Sequence, residues 1–348
     1  MIQRGVLRGF AAIAARAALL GAVVRLARAR KLRRGAAGRP AFPFVVRHRT
    51  ARFQILLYHR VNDVQDPFFD TVPVAAFERQ MTLLRDHFRV LPLEDLVERK
   101  ARNDVPDDAV AITFDDGYRD NFENAFPVLR RLGLPATIFV TTGTVGSKAG
   151  LWHDRVLDAF RQTGVAAVSI DGKPYPLRYL AERREALRAC LGKLRRSDPR
   201  ARDAEIERII AALEVPEAGA TGWNKLDWDQ IAVMSNAGIT FGAHTVTHPI
   251  LTRVTPGEAV TEIADSRRAI ESRLGRPVRL FAYPNGGRGD FDEAVKRAVR
   301  DAGFACGATA LPGVNDLSTD PYELRRDGMW DPAPRMALLR LAWSRFAS

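Results

Sequence analysis

From Phe53 onward, short apolar runs alternate with longer stretches in which apolar residues recur at helical spacing. The runs at 53–58, 109–114, 136–141, 239–243, 279–283, 304–308 and 323–326 predict strands, each bounded by polar or turn-forming residues. Helical periodicity follows near 75–87, 120–132, 227–237, 256–274 and 290–302, the last introduced by Asp290 as a cap. Strands alternating with helices predict a parallel α/β architecture; seven of them suit a barrel, and an open doubly wound sheet satisfies the same periodicity. Residues 143–226 break the rhythm with two Arg-rich helical stretches, 177–195 and 200–213, expected to form an insertion over one face. No repeat of 20 to 50 residues is visible.

Residues before Phe53 follow a different pattern. Gly9 to Val24 is apolar apart from Arg16 and is flanked by Arg4, Arg8, Arg25, Arg28, Arg30, Lys31, Arg33 and Arg34. It is shorter than the ~20 uninterrupted apolar residues a span requires, and a central Arg raises the cost of spanning. Residues 1–34 are therefore expected to form a basic amphipathic helix lying on an anionic membrane surface, with Arg side chains reaching the headgroups. The expected localisation is the inner membrane, on its cytoplasmic face. An atypical signal for secretion or periplasmic export, and a helix packed on the domain, are the alternatives. Residues 35–52 read as a linker, 53–330 as the main domain and 331–348 as a C-terminal helix.

The formal net charge of +12 belongs to that arm. Residues 1–50 hold eleven Arg, one Lys and no acid, so the remaining 41 basic residues equal the 41 acidic ones. A formally neutral domain gives no support to nucleic acid as a partner. Cys190 and Cys306 match neither a disulfide framework nor a C-x-x-C site and read as small buried apolar residues.

Four segments carry chemistry. Ala109-Val-Ala-Ile-Thr-Phe-Asp-Asp-Gly117 is a strand ending in two carboxylates, where parallel α/β folds place their sites. Neighbours on a strand point opposite ways, so a turn helped by Gly117 is needed before Asp115 and Asp116 can serve one site, one holding a metal and the other taking a proton. A helix cap is the other reading of such a pair. Ile239-Thr-Phe-Gly-Ala-His-Thr-Val-Thr-His-Pro249 places two His four residues apart after a strand, a spacing that lets both imidazoles reach one ion. Two imidazoles and one carboxylate leave coordination positions open, the catalytic pattern for zinc, with cobalt or nickel as substitutes. In Arg279-Leu-Phe-Ala-Tyr-Pro-Asn-Gly-Gly287, the loop residues Tyr283, Pro284 and Asn285 are candidates to contact substrate or a developing oxyanion, against an ordinary turn. His59 ends the first strand, in Leu57-Tyr-His-Arg-Val61.

Thr113-Phe-Asp-Asp-Gly117 together with His244-Thr-Val-Thr-His248 resembles the first two motifs of the NodB-homology polysaccharide deacetylases, over about residues 53–330. The resemblance implies a distorted (β/α)7 barrel and removal of acetyl groups from chitooligosaccharide, peptidoglycan, xylan or poly-N-acetylglucosamine. It further implies Asp115 as general base and Asp116, His244 and His248 as metal ligands. Three departures stand out. Ala282-Tyr-Pro-Asn-Gly286 lacks the Arg that opens the family's third motif and orients the base; the tryptophan-containing fourth motif is not evident; and no His follows His248 to supply the late catalytic acid. The Leu-Tyr-His-Arg-Val context and the Ala-Tyr-Pro variant resemble the poly-N-acetylglucosamine deacetylase branch, in which a His of this early motif serves the site. That resemblance makes His59 the candidate acid, with His153 second. Trp152, Trp223 and Trp228 are candidates to stack on sugar rings or to pack in the core.

The expected function is thus metal-dependent hydrolysis of acetamide groups on N-acetylglucosamine-containing oligo- or polysaccharides. A glycan-binding module without catalysis, and an amidase acting on a non-sugar substrate, are the competing readings.

Overall fold

A computed structural model describes residues 51–64, 66–106, 108–148, 150–215 and 224–330. The expected basic helix at 1–34, nearly all of the linker, Trp223 and the expected helix at 331–348 lie outside the described residues. Among the described residues, no helix is long and apolar enough to cross a membrane.

Seven parallel strands form the sheet: β1 (Gln54–Tyr58), β2 (Ala109–Phe114), β3 (Thr137–Val140), β4 (Thr240–Ala243), β5 (Leu280–Ala282), β6 (Cys306–Ala308) and β7 (Asp327–Gly328). The spatial order is β6-β5-β4-β3-β2-β1-β7, so each strand from β1 to β6 lies beside its neighbour in sequence. A short strand, Arg89–Val90, adds to β2 outside this order. Every residue of β1, β2 and β3 is buried, as expected for parallel strands covered on both faces. The sheet curls into a half-barrel, and its ends meet through a bridge between Ala308 and Leu324. The open doubly wound sheet is therefore excluded. The last strand begins at Asp327 rather than 323, because the chain first makes a turn at Pro321–Glu323 and the Ala308 bridge.

The outer helices are α1 (Val74–His87), α2 (Leu93–Ala101), α3 (Phe126–Leu132), α4 (Trp152–Gln162), α5 (Leu180–Arg196), α6 (Pro199–Ala212), α7 (Trp228–Asn236), α8 (Pro256–Leu274) and α9 (Glu293–Asp301). Helix α8 has the expected termini: Thr255 and Glu258 form a reciprocal capping box, Pro256 follows the cap, and left-handed Gly275 ends the helix. Helix α9 starts later than its periodicity suggests, because Asp292 rather than Asp290 accepts the Val295 N–H. Asp290 instead accepts from Gly287 N at 2.8 Å, tightening the preceding loop.

The insertion holds more than two helices. Helix α4 and a hairpin pairing Ala167–Ile170 with Lys173–Pro176 precede α5 and α6. Phe160, Leu187, Leu194, Ile206 and Ile209 belong to its own apolar cluster, separate from the two clusters on either face of the sheet. Cys190 is buried in that cluster and Cys306 in the sheet, both as free thiols.

Candidate active site

The chemistry-bearing residues lie where the parallel strands end: His59 follows β1, Asp115 follows β2, His244 follows β4 and Asn285 lies just past β5. At the end of β2 the alternation of side chains is overridden. Asp116 has φ 71° and Gly117 φ 61°, and this left-handed pair brings both carboxylates to one cavity. A Cβ on Gly117 would lie 3.0 Å from Val140 Cγ1, a second reason for glycine there. Among the described residues, neither carboxylate caps the following π-helical turn at Asn121–Ala125, so the cap reading does not hold.

Asp116 Oδ1 lies 3.5 Å from His244 Nε2 and 3.3 Å from His248 Nε2, all three residues being buried. His244 Nδ1 is 2.7 Å from the Ala282 carbonyl, which can only accept; Nδ1 therefore carries the proton in the neutral ring, and Nε2 presents a lone pair. Asp116 Oδ1 has no hydrogen-bond partner. A carboxylate oxygen facing imidazole lone pairs is unfavourable unless positive charge lies between them. Burial works against the charged form of Asp116, yet the neighbouring His244 and His248 imidazoles hold it well below the usual carboxylate range. Burial pushes His248 down to about 4, which keeps a neutral ligand nitrogen available. Burial also opposes protonation of His244, but Asp115 and Asp116 outweigh it and raise that group above its ordinary value. Positive charge between Asp116 and His244 thus suits both groups, and the donor set of one carboxylate and two imidazoles fits a divalent metal.

Asp115 has a partner that the sequence motifs did not reveal. Arg326 extends from the segment leading into β7, and its guanidinium donates to Asp115 Oδ1 at 2.7 Å and Oδ2 at 2.6 Å. Its Nε donates to the Thr309 carbonyl at 2.6 Å, and the guanidinium carbon lies 5.5 Å from the centre of the Phe139 ring. Arg326 is only 1% exposed, and it reaches Asp115 from the segment just before β7. Burial favours the neutral form of Asp115, but the Arg326 charge and hydrogen bonds, with help from His244, hold it below its ordinary value. Asp115 is therefore a fixed carboxylate at neutral pH, able to accept a proton.

These groups open on a cavity of about 730 Å³ whose lining includes His59, Asp115, Asp116, His153, His244, His248, Asn285 and Arg326. The His59 ring meets Phe69 edge-on at 5.7 Å and, among the described residues, makes no hydrogen bond, leaving its nitrogens for a ligand. His153 comes from the insertion. Its Nε2 is 3.4 Å from Asp154 Oδ1, and its ring lies 5.3 Å from that of His248. Asp154 also accepts from Tyr118 Oη at 2.8 Å, Leu151 N at 2.8 Å and buried Lys225 Nζ at 3.3 Å, so His153 sits on a saturated network.

The loop after β5 divides the three residues expected there. Asn285 lines the cavity, with φ 59° and a buried Nδ2 lacking a hydrogen-bond partner. Tyr283 and Pro284 do not line it. The Tyr283 ring turns into the core over Gly307, where a Cβ would lie 2.3 Å from its hydroxyl, stacks on Phe291 at 4.6 Å and donates to the Tyr322 carbonyl. Pro284 is buried and has no N–H to offer. Trp152 is buried beneath Arg202, and Trp228 packs against the core under Arg273; neither lines the cavity. Among the described residues, the tryptophan that does is Trp330, 40% exposed.

Backbone strain concentrates here. Four of the seven described non-glycine residues with positive φ are Asp116, Thr245, His248 and Asn285. Each such residue costs roughly 1–3 kcal/mol, and strain of that kind persists where surrounding contacts hold a functional geometry.

The polysaccharide deacetylase family model matches residues 102–307, more than half of the chain. The Bacillus subtilis protein YxkH is 23% identical over 278 residues, which cover 79% of this chain and 71% of YxkH. A Staphylococcus epidermidis poly-β-1,6-N-acetyl-D-glucosamine N-deacetylase is 30% identical over 129 residues, 32% of this chain and 44% of that protein. Among solved structures, the Streptococcus pyogenes deacetylase PplD in complex with acetate aligns with a TM-score of 0.57 and 19% identity, covering 84% of this chain and 98% of its own; that likeness concerns the fold.

Proposed function

Because the chain belongs to the polysaccharide deacetylase family, we propose that it hydrolyses the acetamide of N-acetylglucosamine units in an oligo- or polysaccharide, releasing acetate. The observation that carries this reading is the pairing, in one cavity, of an Arg-clamped carboxylate, Asp115, with the Asp116, His244 and His248 cluster. Similarity to the S. epidermidis enzyme and the early position of His59 support a poly-β-1,6-N-acetylglucosamine-like substrate over chitooligosaccharide.

An amide has a weak electrophile and a poor leaving group, and both need assistance. Asp116, His244 and His248 would hold a divalent cation, zinc first and cobalt or nickel as substitutes, which supplies Lewis-acid polarisation and a more acidic water. Asp115 accepts the proton of the attacking water, its two oxygens held in orientation by Arg326. Asn285 Nδ2, buried and unpartnered, is a donor for the oxyanion that develops on the acetyl oxygen. His59 gives a proton to the departing sugar amine. Trp330, exposed beside the cavity, offers an aromatic face to a sugar ring.

The test is acetate release from β-1,6- and β-1,4-linked N-acetylglucosamine oligomers, with and without a chelator. Turnover should vanish on chelation and return with zinc, cobalt or nickel. Asp116→Ala, His244→Ala and His248→Ala should each lose bound metal and activity, whereas Asp115→Asn should keep the metal and lose turnover. Full activity in metal-stripped protein would overturn the metal assignment, and no acetate from any oligomer with metal bound would leave glycan binding as the better reading.

A further inference from the structure

The turn that carries two of the cluster residues is held from behind. His244 and His248 are joined by Thr245, Val246 and Thr247, and the turn needs left-handed backbone at Thr245, φ 65°, and His248, φ 60°. Thr245 is β-branched, a residue type that resists this conformation. Glu262, on α8, meets the turn at Val246 and Thr247, residues that do not line the cavity. Its Oε2 accepts from Val246 N at 2.7 Å and Thr247 N at 2.9 Å, while Oε1 accepts from Thr247 Oγ1 at 2.7 Å. The turn's other bonds are to neutral groups and include Thr142 N donating to Thr245 O at 3.1 Å, Gly143 N to Val246 O at 2.8 Å, His248 N to Thr245 Oγ1 at 3.0 Å and Thr245 Oγ1 to the His244 carbonyl at 2.5 Å. Among the described residues Glu262 forms no ion pair, so its hydrogen-bonding capacity is directed to this turn. Two backbone N–H groups converging on one carboxylate oxygen need those two residues to be folded back together, which is the shape that returns His248 toward His244. Their rings stand 4.9 Å apart in consequence.

We propose that Glu262 is a positioning residue for the metal centre, setting its divalent-cation affinity by holding the left-handed turn between His244 and His248. It does not line the cavity, so its action passes through the backbone. This rests on reading Asp116, His244 and His248 as the cation site. Groups behind a metal's ligands change affinity or activity by about 10- to 100-fold when removed, because they determine how much of the ligand geometry exists before the ion arrives.

The test is competition for zinc between a chromophoric chelator and the metal-stripped full chain, comparing wild type with Glu262→Ala, Glu262→Gln and Thr247→Val. Glu262→Ala should weaken zinc binding by about tenfold or more. Glu262→Gln should stay within about threefold of wild type, since an amide oxygen can accept both backbone N–H groups while the amide nitrogen donates to Thr247 Oγ1. Thr247→Val removes one of the three bonds and should fall between. At saturating zinc the Glu262→Ala chain should regain near-wild-type kcat, a recovery that general loss of structure would not permit. Folded Glu262→Ala binding zinc within about twofold of wild type overturns the proposal. Should that variant fail to fold, Thr247→Val decides: weaker zinc binding supports the clamp and unchanged binding overturns it. Wild-type chain that binds no zinc instead defeats the cation site itself, a result distinguishable from failure of the clamp alone.

Discussion

Replacing Arg326 by Met separates two consequences of the buried ion pair. Asp115 is 4% exposed and Arg326 1%, and the two share two charge-assisted bonds at 2.7 and 2.6 Å. Removing only the cation leaves a buried carboxylate without compensation, a change worth about 3–5 kcal/mol of stability in comparable buried pairs. Asp115→Asn is milder, because Arg326 keeps the Thr309 carbonyl and its contact with Thr113 Oγ1. The double variant should recover about 1–3 kcal/mol relative to the sum of the single changes, since the two side chains touch. Urea unfolding of the four proteins near neutral pH measures this coupling. Turnover should fall more steeply than stability suggests: an unclamped base misaligned by about 1 Å costs roughly 10²-fold in kcat, with metal content unchanged. Arg326→Lys keeps the charge but not the two-pronged geometry, and it should lie between wild type and Met. Additive stabilities within about 0.5 kcal/mol, together with wild-type acetate release by folded Arg326→Met, would refute the role given to this pair.

Three further outcomes are expected. His59→Ala should lose about 10²–10⁴-fold in kcat on an acetamide but far less on a phenyl acetate ester, whose leaving group departs without a proton; equal losses on both substrates would argue for a structural role. Trp330→Ala should raise KM for oligosaccharides several-fold, by the loss of about 1 kcal/mol of stacking, while leaving phenyl acetate turnover unchanged; an unaltered KM would remove Trp330 from the sugar path. Deleting residues 1–34, which carry the basic apolar arm, should move the protein from membrane to soluble fractions with turnover on soluble oligomers preserved; continued salt-sensitive membrane binding by the truncated chain would place the anchor elsewhere.

The cluster could be read in the sequence because its members lie in two short motifs at strand ends, where backbone topology alone gathers them. The need for a turn at Asp115 and Asp116 was likewise visible in the two adjacent carboxylates and Gly117, although the left-handed residue at Asp116 was not. Arg326 is not legible as part of the site because it is 211 positions from Asp115 and is one of two adjacent arginines. A period of two offers the missing signal: Leu324 and Arg326 share one face, and Leu324 is fully buried. The place of Tyr283 beside the Pro-Asn-Gly turn points to the site, whereas space over Gly307 directs its ring into the core. Helix α2 has Pro92 at its N-terminal boundary instead of a side-chain acceptor, which left it without the usual start signal. In the insertion's hairpin one strand, Lys173–Pro176, is mostly exposed and carries two prolines, and the other, Ala167–Ile170, alternates over only four residues, too weak a pattern to stand out.

Arg326 also bears on the order in which the molecule can assemble. The ends of the curled sheet come together only when the segment after Pro321 bridges to Ala308 on one side and pairs with Leu56 and Leu57 on the other. Until that late segment docks, the strands from Gln54 to Ala308 can align while Asp115 faces the interior without its cation. An emerging chain therefore holds a carboxylate that resists dehydration, and that resistance ends only with the last strand. Completion of the half-barrel and pairing of Asp115 with its cation are one event, so a partly made chain would present the turn that carries His244 and His248 before Asp115 gains its partner.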